Sequence, residues 1–74
     1  MSDIATRIRR ARKRAGLSQG DVARRSGLSL TGYGDIERGT ASDPHVSTLE
    51  NIAEALGTSV SNLLSEEAEL AGKA

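Results

Sequence analysis

The chain has 74 residues, no cysteine and one histidine, and its ten Lys/Arg balance ten Asp/Glu. That length makes one domain without room for a second core, the missing cysteines exclude disulfides and thiolate metal sites, and a lone histidine excludes a multi-histidine site. No apolar run nears the ~18 residues of a membrane span, and the start "MSDIATRIRRARKR" has no apolar leader region, so the expected setting is soluble and cytoplasmic.

Serine starts and glycine stops divide the chain into five short helices, an all-α fold. The first is expected over residues 3–15, with Ser2 as cap, Asp3 in the first turn and Gly16 as stop. At 100° per residue Ile4, Ala11 and Ala15 fall within about 60° of Ile8 and form a narrow core stripe. Arg12 falls at about 40°, on the edge of that stripe, where a guanidinium needs an acidic partner.

The second helix is expected over 19–26, with Ser18 as cap and Asp21 completing a short capping box. Val22 and Ala23 face inward and Gly27 stops it. Ser29 then caps a third helix over 30–37, which ends at Gly39. Two short helices joined by a tight glycine turn form a helix-turn-helix unit. Tyr33, the only aromatic residue, and Ile36 face the core. With Tyr33 at zero, Glu37 falls at about 40° and is again an edge position, while Thr31, Asp35 and Arg38 fall at about 160°, 200° and 140°.

The loop "GTASDP" leads to a fourth helix over 46–56, whose apolar positions are Val46, Leu49, Ile52, Ala53 and Leu56. Ser47 and Glu50 offer an alternative capping box two residues later. Gly57 stops it, and Ser59 caps a fifth helix over 60–65 containing Val60, Leu63 and Leu64. The domain is thus expected over 1–65, with an acidic tail over 66–74.

The neutral total charge hides an asymmetry. Residues 1–38 hold nine Lys/Arg against four Asp/Glu, a balance of +5, and residues 39–74 hold one against six, a balance of −5. Such a chain can hold a polyanion against its basic half.

In sequence the chain resembles the phage-repressor/Cro-type helix-turn-helix regulators, the XRE class of small DNA-binding proteins. The resemblance rests on "GLSQ", the "IERG" that closes the third helix, the proline and "L..IA.AL" spacing of the fourth, and "S..LL" in the fifth, in order over about residues 4–64. It implies a compact five-helix, lambda-repressor-like domain with the third helix in the DNA major groove. It implies an ion pair between Arg12 and Glu37. It places base reading at Leu30, Thr31, Gly34 and Asp35. Phosphate contacts are expected from Ser18 and Gln19 at the second helix's N-terminus, and from Arg9, Arg10, Arg24, Arg38 and Thr40.

The implied partner is double-stranded DNA carrying a palindromic operator, bound by a homodimer that uses Leu64 and Leu70 as contacts. No cofactor, metal or membrane is expected, and one histidine beside a proline offers no catalytic arrangement. The reading positions are weak. Leu and Thr can touch a thymine methyl and Asp can accept from cytosine N4, but none makes the bidentate contact of Arg to guanine. Gly32 and Gly34 each cost the helix about 1 kcal/mol relative to alanine. An alternative reading is therefore a protein-interaction or antirepressor module that keeps the fold without base readout.

Overall fold

The computed structural model describes residues 4–41 and 44–64, which form α1 (Ile4–Arg14), α2 (Gln19–Ser26), α3 (Leu30–Arg38), α4 (Val46–Ala55) and α5 (Val60–Leu64). The expected cap Ser2, the expected first-turn residue Asp3, and the tail with Leu70 lie outside the described residues. No described helix is long and apolar enough to cross a membrane.

The punctuation acts through specific hydrogen bonds. Ser18 Oγ accepts from the Asp21 N–H at 3.0 Å, and the Asp21 carboxylate accepts from the Ser18 N–H at 3.0 Å, a reciprocal capping box. These bonds hold the Asp21 carboxyl below its usual range, with a further contribution from Arg24. Ser29 Oγ accepts from the Gly32 N–H at 2.9 Å and Ser59 Oγ from the Asn62 N–H at 3.1 Å. Between α2 and α3 the chain reverses at Gly27, whose φ of 73° a side chain would resist. The Leu28 N–H then donates to the Ala23 carbonyl at 2.9 Å, closing the last turn of α2 and fixing where α3 starts.

The core is aliphatic around one aromatic ring: Ile8, Val22, Ala23, Tyr33, Ile36, Ile52, Ala53 and Leu63. It joins α2 to α3 and α4, and α1 to α3 and α5. Each fully buried Ile, Val or Leu contributes roughly 1.5–3 kcal/mol, so a handful of side chains carries most of the stability.

Two apolar residues depart from the expected core. Ala15 is exposed, because α1 ends at Arg14 and Ala15 lies on the exit toward Gly16. Val46 is 68% exposed, because it opens α4 ahead of the stretch around Ile52 and Ala53 that is buried in the core. The cap residue of α4 is His45, whose side chain makes no capping bond, so Ser47 lies inside the first turn.

Candidate nucleic-acid interface

α3 has two faces with different chemistry. The inner face carries Tyr33, Ile36 and Glu37, all buried. Glu37 is only 2% exposed and accepts four hydrogen bonds. Arg12 Nε and Nη2 donate to its two oxygens at 2.8 and 2.9 Å, Gln19 Nε2 donates at 3.1 Å, and the Tyr33 hydroxyl donates at 2.5 Å. Arg12 Nη1 donates to the Leu17 carbonyl at 2.9 Å. One carboxylate therefore ties together α1, α2 and α3. Burial by itself would raise the Glu37 pKa, but these donors outweigh it and hold the carboxyl down at about 2. The same burial, with the neighbouring carboxylate, pushes the Tyr33 hydroxyl well above its ordinary value. Arg12 and Glu37 are therefore both charged in the physiological range while the Tyr33 hydroxyl keeps its proton and donates, which suits a rigid support.

The Gln19 contact adds a role that was not read from sequence. One of its two amide hydrogens is turned inward to Glu37, so the side chain supports the α1–α3 ion pair. The separation of 18 residues in sequence gave no signal for this bond.

The outer face of α3 begins with Leu30, 58% exposed, and Thr31, also exposed. Next come Gly34, Asp35 and Arg38, which the structure brings together. Arg38 Nη2 donates to Asp35 Oδ1 at 2.6 Å, and its guanidinium lies over Gly34. A Cβ on Gly34 would come within 3.1 Å of Arg38 Nη1. Gly34, one of the positions where the resemblance places base reading, is thus buried beneath the Arg38 side chain. The reason is geometric: long side chains on a helix lean toward its N-terminus and cover the preceding turn. The i,i+4 spacing of Gly34 and Arg38 and the i,i+3 spacing of Asp35 and Arg38 were the available signals.

Among the other expected contacts, Arg9 and Arg10 are exposed on α1, and Arg24 is exposed on α2, where it pairs with Asp21 at 3.0 Å. The Thr40 hydroxyl donates to the Asp35 carbonyl at 3.2 Å, and so helps close the end of α3. Leu64 is 57% exposed at the end of α5. Arg7 Nη1 donates to the Leu64 carbonyl, joining α1 to the end of α5.

The helix-turn-helix domain family matches residues 3–65, nearly the whole chain and all five helices. This chain belongs to that family. Among curated helix-turn-helix proteins, the transcriptional regulator SinR of Bacillus licheniformis is 33% identical over 66 residues, covering 89% of this chain and 60% of the relative. The immunity repressor protein of Bacillus phage phi105 is 41% identical over 64 residues, covering 86% of this chain and 44% of the relative. The chain therefore spans about half the length of the curated relatives it matches. Two solved helix-turn-helix structures share the arrangement. A SinR/SinI protein complex superposes with a TM-score of 0.79 at 32% identity, covering 92% of this chain and 66% of that one. A mutant restriction-modification controller protein superposes with a TM-score of 0.75 at 27% identity, covering 89% of this chain and 90% of that one.

Proposed function

We propose that this chain is the DNA-binding unit of a transcriptional regulator, acting as a repressor, with α3 in the major groove of double-stranded DNA. The observation that carries this reading is the division of α3 into a locked inner face and a solvent-facing outer one. Tyr33, Ile36 and Glu37 fix the helix against α1 and α2, so that Leu30, Thr31, Asp35 and Arg38 are presented by a rigid support. The repressor and regulator names among the relatives support the same reading.

Affinity in this account comes from the phosphate backbone. The capped N-terminus of α2, with Ser18 and Gln19, faces a phosphate, and Arg9, Arg10 and Arg24 add positive charge. The loop after α3 contributes only Thr40 before the acidic Asp43, so anchoring on that flank is weak. Leu30 and the Thr31 methyl and hydroxyl touch base edges, with thymine methyls the natural partners. We place homodimerisation at the end of α5, where Leu64 is an exposed large aliphatic residue, and bind the dimer to a palindromic operator.

The test is selection of bound duplexes from a random pool by the purified protein. The account predicts a consensus of two inverted half-sites, and a selected pool without sequence preference would contradict it. Replacing Leu30 by alanine should then weaken preference for thymine at one position per half-site.

A further inference from the structure

We infer that Arg38, held by Asp35 across the space left by Gly34, is the guanine-reading residue of α3. The inference rests on the proposed placement of α3 in the major groove. Four observations carry it. First, Arg38 is the last residue of α3, yet its guanidinium lies one turn back, over Gly34, the position from which a base-reading side chain was expected. All three of the nearest atoms that a Gly34 Cβ would meet belong to that guanidinium. Second, the pair to Asp35 uses Nη2 at 2.6 Å and leaves the rest of the planar donor fork available. A guanidinium with one edge on a carboxylate can donate from its remaining N–H groups to guanine O6 and N7. Third, both partners are well exposed, 57% for Arg38 and 44% for Asp35. An ion pair that open adds little stability, so its consequence is orientation. Fourth, Asp35 unpaired would repel the phosphates on either side of the groove, and the Arg38 charge offsets it where it stands.

The arrangement accounts for three residues that are poor readers taken singly. Gly34 gives the guanidinium room, Asp35 is a positioning residue, and Arg38 touches the base. The wild-type protein should thus select a guanine in each half-site, at the step facing the middle of α3.

The experiment compares selected consensus sequences and duplex affinities for the wild type, Arg38→Lys, Asp35→Asn and Gly34→Ala. Arg38→Lys keeps the charge and loses the fork. It should reduce discrimination for that guanine by about tenfold or more, within the range of one bidentate contact, while binding to a random duplex changes little. Asp35→Asn should lower the same discrimination to a lesser degree and strengthen binding to random duplex. Gly34→Ala should also lower it, because the new methyl displaces the guanidinium, while circular dichroism shows the helix content kept. If Arg38→Lys retains the same consensus, or weakens all sequences equally, Arg38 is a phosphate contact only and the inference fails. If the wild type enriches no sequence, the DNA-binding reading fails and the role of Arg38 falls with it.

Discussion

Arg12 and Glu37 form a two-pronged ion pair between α1 and α3, with Nε 2.8 Å from one carboxylate oxygen and Nη2 2.9 Å from the other. Arg12 is 13% exposed and Glu37 2%, so removing either partner leaves a charge in a poorly solvated place. Glu37→Ala strands Arg12, the Tyr33 hydroxyl and the Gln19 amide together. The expected cost is about 3 kcal/mol, much of the stability of a domain this small. A thermal melt checks it: the midpoint should fall by more than about 10 °C, or folding should be lost. An unchanged melting temperature would show that the cluster is not a structural support.

The same cluster sets a pH limit. The Glu37 carboxyl is held at about 2 in the folded chain, against 4.5 for an unperturbed glutamate. A depressed folded pKa stabilises the fold above the unfolded value and loses that stabilisation as pH falls. The loss should therefore run from about pH 4.5 down to about pH 2 and amount to roughly 3 kcal/mol. Urea midpoints measured across that window should drop steeply for the wild type. In Glu37→Gln, which starts less stable, this component of the drop should vanish. Equal slopes in the two proteins would assign the acid sensitivity to other carboxylates.

Gly32 and Gly34 sit in the same helix but should respond differently to alanine. At Gly34 the new Cβ meets only the flexible tip of Arg38, which can move aside. The gain in helix propensity then remains, about 0.5–1 kcal/mol. At Gly32 the Cβ lies 3.0 Å from Ser29 Oγ, the atom that caps α3. Disturbing that cap costs about 1 kcal/mol and cancels the gain. Melting temperatures should rise for Gly34→Ala and stay level or fall for Gly32→Ala. The reverse order would mean that the Ser29 cap is dispensable.

How far the sequence reached can be stated residue by residue. Helix limits followed from local chemistry: Ser18, Ser29 and Ser59 are caps, and Gly27 and Gly39 take the positive φ that ends a helix. Angular position placed Arg12 and Glu37 on the edges of two buried stripes, and in the fold those edges meet. Three features were missed. Gln19 turns toward Glu37 because α2 packs beside α3, a tertiary fact without a local signature. The wheel treats a side chain as radial, so it could not show Arg38 lying back over Gly34. Periodicity also counted Val46 and Ala15 as core, although Ala15 lies just beyond the end of α1 and Val46 opens α4 ahead of its buried stretch.

Binding to duplex DNA as a function of salt tests the central claim most directly, because it needs no knowledge of the operator. Fluorescence anisotropy of a labelled random duplex should show binding at ~50 mM salt, and affinity should fall linearly in log–log form with a slope of about −0.9 for each phosphate neutralised. With a few arginines and the α2 N-terminus engaged, we expect a slope of roughly −3 to −5 per monomer. Absence of binding at ~50 mM salt, or an affinity that does not change with salt, would contradict the account and favour a protein-interaction role for the same fold.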